Sequence, residues 1–259
     1  MNFRGRDTTI YFQKSMENRL SDNIKNIYRR IAHATMRAGR DPHDVKLIGV
    51  TKNVGADVVV KALEIGLRDF GENRVQEFRQ KLSDVRNLIG VTPGGTLKGY
   101  RPRWHLIGHL QKNKAKMAIE LFDLIHSVDS EELAETVNRL AEKINKKQRV
   151  LVQVKLSDEE SKYGILQKNI LGLLNGLREM RHLKVEGLMT IPPFFDDPER
   201  VRPYFRELRA IRDHAEAMGF SLRELSMGMS HDFEVAVEEG ATMVRVGTAI
   251  FGERKKEAA

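Results

Sequence analysis

The sequence contains no cysteine among its 259 residues. Disulfides and thiolate metal sites are therefore excluded, and a reducing compartment, the cytoplasm, is the expected location. Long apolar runs are also missing, so neither a membrane span nor a signal peptide is expected. The basic clusters at 112–116 and 254–256 have no interleaved aromatic residues. That absence argues against a nucleic-acid groove.

Apolar residues make up 41% of the chain, which is enough for a substantial core, and the net charge is +8. A basic, solvated surface explains this charge most simply, since net charge bears on steering and not on fold. The histidines are scattered without metal-ligand spacing, so no metal site is predicted. The segment from Gly228 to Asp232 ends in aspartate where the GxSxG motif of a serine hydrolase requires glycine, so that motif is absent.

The chain divides into three parts by composition. Residues 1–20 are polar and aperiodic, and they are expected to form a mobile N-terminal extension. Residues 21–252 carry the regular pattern of one domain, and residues 253–259 form a charged tail. Within the domain, the glycine- and proline-rich stretch Gly90–Arg103 is expected to be a long mobile loop.

Along residues 21–252, segments with apolar residues at helical spacing alternate with short apolar segments that are typical of strands. A helical stripe through Ile24, Ile27 and Ile31 ends at Gly39 and predicts an N-terminal helix. Eight short apolar segments then predict strands, and helical patterns separate most of them. These segments are 45–50, 69–70, 104–107, 124–128, 150–154, 185–189, 222–226 and 243–246.

Strands that alternate with helices indicate an α/β protein with a parallel sheet. The alternative to a closed barrel is an open doubly wound sheet, which requires a glycine-rich fingerprint after its first strand. Here the first strand is followed by Thr51-Lys52-Asn53, without that fingerprint. We therefore predict a single (β/α)8 TIM-type barrel with an extra N-terminal helix.

Function in such a barrel lies at the carboxyl ends of the strands. Lys52 follows a strictly apolar strand, where partial burial makes an amine a better nucleophile for carbonyl groups. Most lone lysines instead extend their amine into water, so Lys52 by itself is weak support for a site.

Glycines and hydroxyls after the last two strands strengthen this interpretation. The segments 226–230 and 247–248 occupy the positions where barrels often bind phosphate, although ordinary turns have a similar composition. Arg245 lies within an apolar strand and requires a partner, which is either a carboxylate (Glu234 or a neighbouring one) or a ligand ring. His105 is either a hydrogen-bonded structural histidine or a pocket residue.

Seven segments occur in order that together resemble the pyridoxal phosphate homeostasis protein family. They are 50–52, 70–77, 104–114, 162–165, 187–192, 226–232 and 244–252. The resemblance implies a barrel like the N-terminal domain of alanine racemase, with pyridoxal 5'-phosphate (PLP) held as a Schiff base on a lysine. It extends from about residue 20 to residue 252.

The same resemblance implies roles for individual residues. Lys52 would carry PLP, and Ser226, Gly247 and Thr248 would hold its phosphate. Arg245 would face the pyridine nitrogen, while Asn73 and Met189 would line the cofactor.

Two positions depart from the family pattern at the rim of the pocket. Arg74 replaces an aromatic residue, and Tyr163 replaces a small or polar one. The Gly90–Arg103 loop is longer than expected, and the N-terminal extension is unusual.

Three functions fit these residues. The first is a PLP-binding regulator or carrier in vitamin B6 and amino-acid homeostasis, whose partners would include PLP-dependent apoenzymes. The second is a PLP-dependent amino-acid racemase, since an arginine at the ring nitrogen suits limited proton abstraction. The third is a lysine-based aldolase without PLP. Racemases that resemble this barrel carry a second, all-β domain, for which this chain has no room, so the non-enzymatic regulator is favoured.

Overall fold

The computed structural model describes residues 4–89, 101–157, 159 and 162–252, with side chains described from residue 18 onward. Nine strands lie in this part of the chain: β1 Lys46–Val50, β2 Asp69–Glu72, β3 Arg103–Leu106, β4 Leu124–Val128, β5 Gln148–Lys155, β6 Ile165–Leu166, β7 Leu183–Met189, β8 Glu224–Met229 and β9 Met243–Val246. The α-helices within the same ranges are α1 Arg4–Arg37, α2 Ala56–Ile65, α3 Val75–Ile89, α4 Ala115–Leu121, α5 Glu131–Lys143, α6 Ile170–Arg178, α7 Arg202–Ala217, α8 Phe233–Glu238 and α9 Thr248–Phe251.

Eight of the strands close into a barrel. Their order is β4-β3-β2-β1-β9-β8-β7-β5, and β5 pairs with β4 to complete the circle. All of these pairings are parallel, so the carboxyl ends of all eight strands lie at one mouth. The predicted (β/α)8 barrel is confirmed, and the additional strand β6 is a two-residue segment that pairs with the end of β5.

Two apolar layers form the core. The larger one lies between the outside of the barrel and the surrounding helices. The smaller one fills the barrel interior with Ile48, Leu124, Leu151, Met189 and Met243, all of which are fully buried. This division follows from the alternation of side chains along each strand, which sends neighbouring residues to opposite faces of the sheet.

The N-terminal helix is present and longer than expected. The predicted stripe is buried, but α1 begins at Arg4, within the segment that the sequence predicts to be aperiodic. The helix packs against α8 and α9, and the Asn23 amide donates to the carbonyl of Ile250 at 2.8 Å. Whether residues 1–20 are mobile, and where the domain begins, stay predictions.

The Gly90–Arg103 loop falls largely on residues 90–100, and the charged tail covers 253–259. Both segments lie outside the described residues. No described helix combines the length and apolar composition needed to cross a membrane.

Gly187 tests the packing between β7 and β8. A Cβ atom at this position would lie 1.8 Å from the carbonyl oxygen of Glu224, which is backbone and cannot rotate away. We expect Gly187→Ala to lower the free energy of unfolding by about 2 kcal/mol or more, because the strands must separate. Urea denaturation measures this change.

Gly172 provides the matched control. It is exposed on α6, and a Cβ there would meet nothing within 4 Å. Gly172→Ala should leave the protein as stable or raise its stability by up to about 1 kcal/mol, because alanine favours the helix. Similar losses at both glycines would contradict this account of the strand contact.

Candidate functional site at the barrel mouth

Lys52 lies in the turn that follows β1. It is half-buried, and Asn53 after it has a left-handed φ of 58°. The residue before it, Thr51, is fully buried and donates its hydroxyl to Glu72 Oε1 at 2.7 Å. Lys81 Nζ bonds both Glu72 Oε1 and the Thr51 carbonyl, each at 2.6 Å. These bonds fix the backbone of the turn that carries Lys52, and the Lys52 side chain takes no part in them.

Lys52 and Asn73 line a common cavity of about 600 Å³ at the mouth. Its lining is basic and polar and contains no carboxylate; it includes Lys52, Asn73, Arg74, Gln76, His109, Gln111, Lys114 and Tyr163. Among the residues that the structure describes, Lys52 and Lys114 have no ion-pair partner. The cavity is therefore suited to an anionic or carbonyl-bearing ligand.

Asn73 is held by a close approach of two loops. A Cβ on Gly108, in the loop after β3, would lie 2.2 Å from the Asn73 carbonyl oxygen. Only glycine permits this contact, which places the loops after β2 and β3 side by side.

Tyr163 lies against His109 at the same cavity. The two rings are stacked with centroids 3.7 Å apart and an interplanar angle of 12°. His109 Nδ1 lies 3.6 Å from Asp129 Oδ2, and burial raises the pKa of the Asp129 carboxyl. Tyr163 therefore adds an aromatic wall to the cavity.

Arg245 is directed into the barrel interior. It is 3% exposed, and it donates from Nη1 to Ser226 Oγ at 2.6 Å and from Nη2 to the Thr190 carbonyl at 2.9 Å. Burial lowers the pKa of Arg245 to about 10, so the group remains a cation at neutral pH. The expected alternative partner, Glu234, instead bonds Arg30 at 2.6 Å.

Ser226 does not lie where the sequence predicts. The strand expected to end at residue 226 continues to Met229, so Ser226 is a fully buried residue within β8 and not part of the following loop. An irregularity in the β8–β9 register between Ser226 and Met229 explains why an apolar pattern missed this end. A role for Ser226 in binding PLP phosphate stays a prediction.

The loops after β8 and β9 are joined by a hydrogen bond. The Gly247 N–H donates to Ser230 Oγ at 3.0 Å, and the Met229 N–H donates to Asp232 Oδ1 at 2.6 Å. Ser230 is thus a mouth residue that the predicted binding set omits, although its place in the segment 226–230 was a signal for it. Burial raises the pKa of Asp232.

Thr248 is exposed at the start of α9, outside the Lys52 cavity. It lines a separate cavity of about 690 Å³ together with Arg19, Asn23 and Lys61. Met189 is fully buried in the inner apolar cluster. The structure therefore brings Lys52 together with Asn73, and Arg245 together with Ser226. Thr248 lines a separate cavity, and Met189 is buried inside the barrel.

Inside the barrel, His105 is a buried, hydrogen-bonded histidine, which is one of the two alternatives offered by the sequence. Its pairing with His126 was not predicted. His105 Nε2 lies 2.9 Å from Asp69 Oδ1, and His105 Nδ1 lies 2.9 Å from His126 Nε2. His126 Nδ1 in turn lies 2.9 Å from Ser226 Oγ. Their inward positions on neighbouring strands were the only available signal. Within the described ranges, no group of three or more acidic or histidine residues could hold a metal ion.

Comparison with known proteins places the chain in a family. Residues 21–255 match the family described as "Alanine racemase, N-terminal domain". A pyridoxal phosphate homeostasis protein of Aquifex aeolicus is 44% identical over 235 residues, which cover 90% of this chain and 98% of that protein. The Escherichia coli K12 protein of the same name is 37% identical, covering 92% and 97%.

Solved structures agree with this assignment. PipY of Synechococcus elongatus, solved with PLP bound, has a TM-score of 0.73 and 37% identity, covering 87% of this chain and 100% of its own. An alanine racemase of Clostridium difficile shares the fold at a TM-score of 0.67 and 15% identity. This chain accordingly belongs to the pyridoxal phosphate homeostasis protein family, within the wider family of alanine racemase N-terminal domains.

Proposed function

We propose that this protein binds PLP reversibly through a Schiff base on Lys52 and acts in PLP and amino-acid homeostasis. The observation that carries the proposal is the half-buried Lys52 at a basic cavity on the barrel mouth, without an ion-pair partner among the described residues. The names of the relatives and the PLP bound to PipY support it. When bound, PLP supplies an aldehyde that condenses reversibly with an amine.

The loops beside Lys52 fit the phosphate of PLP. Strand β9 pairs directly with β1, with Ile48 opposite Arg245, so the loop after β9 begins next to the Lys52 turn. This loop and its bonded neighbour carry the hydroxyls of Thr248 and Ser230, and a phosphate oxygen would replace Ser230 Oγ as the acceptor of the Gly247 N–H. Thr248 would hold the phosphate from the cavity beside α1. Hydroxyls and backbone N–H groups are suitable donors for phosphate oxygens.

Arg245 and Ser226 fit the ring end of the cofactor. Arg245 stays protonated at neutral pH and can only donate hydrogen bonds, so it cannot deliver a proton to the pyridine nitrogen as a carboxylic acid could. Since the Ser226 hydroxyl bonds Arg245, we assign Ser226 to the support of that guanidinium. Asn73 would contact the cofactor from the Lys52 cavity, and Met189 would form its floor.

Lys52→Ala tests the attachment. The purified variant incubated with PLP should lack the visible absorbance of a protein-bound Schiff base, because its nucleophilic amine is gone. Lys114→Ala is the matched control, since Lys114 lines the same cavity, and it should keep the band. A pyridoxyl group fixed by borohydride and mapped mainly to Lys114, Lys155 or Lys162 would refute the assignment.

Thr248→Ala tests the phosphate site. It should weaken PLP binding by about tenfold and leave pyridoxal, which lacks the phosphate, nearly unchanged, because one hydrogen bond to a charged group is lost. Thr136→Ala on α5 serves as the control. Fluorescence titration gives both dissociation constants, and equal losses for the two ligands would count against this site.

A racemase is the second candidate, and one observation favours it. His109 and Tyr163 line the same cavity as Lys52 and could offer a second proton-transfer group. Their stacking and the exposure of Tyr163, which is 56%, favour a solvated rim over a water-excluded catalytic site. We therefore propose the non-enzymatic role, in which the accessible mouth allows PLP to pass to apoenzymes in the cytoplasm.

Hydrogen exchange separates the two functions. The PLP-loaded protein should exchange the α-hydrogen of L-alanine in heavy water far more slowly than about 1 per second, the low end of ordinary enzymatic rates. NMR and chiral chromatography measure exchange and racemisation. Turnover at that rate or faster, lost in both Lys52→Ala and Tyr163→Phe, would establish the racemase instead.

A further inference from the structure

A chain of buried polar side chains crosses the barrel interior. It runs from Arg245 on β9 through Ser226 on β8, His126 on β4 and His105 on β3 to Asp69 on β2. Each successive pair lies within 2.6–2.9 Å, and every member is at most 5% exposed. The chain connects the proposed ring-binding arginine to the opposite end of the barrel, where Arg103 pairs with Asp69.

The two ends of the chain determine the direction of its hydrogen bonds. A guanidinium can only donate, and an ionised carboxylate can only accept. Arg245 therefore donates to Ser226, whose hydroxyl hydrogen is then free to point at His126 Nδ1. With both imidazoles neutral, His126 donates from Nε2 to His105 Nδ1, and His105 donates from Nε2 to Asp69.

The reverse arrangement of neutral histidines is unfavourable. It would place the bare Nε2 lone pair of His105 against the Asp69 carboxylate and leave a buried acceptor without a donor. Such an unmet group costs about 1–3 kcal/mol in a buried site. For two neutral rings, the geometry thus favours the tautomer with hydrogen on Nε2 in both histidines.

The surrounding charges agree with this assignment. Burial lowers the pKa of His126 well below its ordinary value, and the positive charges of Arg245 and Arg149 add to the effect, so this ring is neutral at pH 7. Burial raises the pKa of Asp69, but hydrogen bonds from His105 and Arg103 outweigh it and lower the pKa overall. Asp69 is therefore ionised and accepts hydrogen bonds.

We propose that Asp69, His105 and His126 form a directed hydrogen-bond relay that positions the Ser226 hydroxyl and the Arg245 guanidinium for the ligand. None of the three needs to touch that ligand. Because Asp69 accepts from His105 Nε2, His105 Nδ1 must accept from His126, and the position of the hydrogen on His126 follows in turn. The effect on the ligand rests on the proposed function, whereas the relay itself is a property of the ligand-free protein.

The first test uses ligand-free protein labelled with ¹⁵N-histidine. Long-range ¹H–¹⁵N NMR should show His105 and His126 as neutral Nε2–H tautomers at pH 7, with their signals assigned by loss in His105→Gln and His126→Gln. Hydrogen on His126 Nδ1, or a positive charge on either ring, would overturn the relay.

The second test asks whether Asp69 controls a ring that it does not touch. Asp69→Ala removes the accepting end, so the His126 signal should move toward a mixture of tautomers. Ser127→Ala is the matched control, because Ser127 is a buried β4 hydroxyl without a hydrogen-bond partner among the described residues. Its removal should leave His126 unchanged. An unaltered His126 in a folded Asp69→Ala protein would refute the directional role.

Ligand binding completes the test. Asp69→Ala should weaken PLP by about tenfold, as expected for a mispositioned donor, while the reduced adduct still maps to Lys52. Unchanged PLP affinity in that variant would refute the positioning role. Failure of the unaltered protein to bind PLP would refute the proposed function instead, and the tautomers would still decide whether the relay exists.

Discussion

The charge of Arg245 inside a parallel barrel imposes a requirement that several other residues meet. A buried guanidinium needs acceptors in place of water, and here they are the Ser226 hydroxyl and the Thr190 carbonyl. The Ser226 hydroxyl that accepts this bond also needs an acceptor for its own hydrogen. In the proposed relay that acceptor is His126, which is bonded in turn to His105. One cation near the mouth is thereby connected, through a series of buried hydrogen bonds, to Asp69 at the opposite end of the barrel.

The barrel interior consequently has two kinds of filling. An apolar cluster around Ile48, Leu151 and Met243 supplies close packing without geometric demands. The stability of the polar chain beside it depends on the position of every hydrogen, because a buried donor or acceptor without a partner raises the free energy of the folded state. This combination gives a stable barrel that holds one arginine in one orientation.

Sequence patterns were sufficient for the architecture and only partly sufficient for the site. The strands and the crossover helices follow from apolar periodicity, which depends on neighbouring residues alone, and Lys52 follows from its place after such a strand. The extent of β8 did not follow, because pairing with β9 and not local pattern extends that strand through Met229. His105, His126 and Asp69 are distant in sequence, and only closure of the sheet reveals that they are bonded.

The pairing of β1 with β9 also has a consequence for biosynthesis. Strand β1 needs a partner from residues 243–246, and helix α1 packs against α8 and α9 near the same end of the chain. Until β9 and α9 leave the ribosome, one edge of β1 has no partner and helix α1 lacks its contacts with α9. The barrel can therefore close only after residues 243–246 have been synthesised, because β1 and β9 lie far apart in sequence.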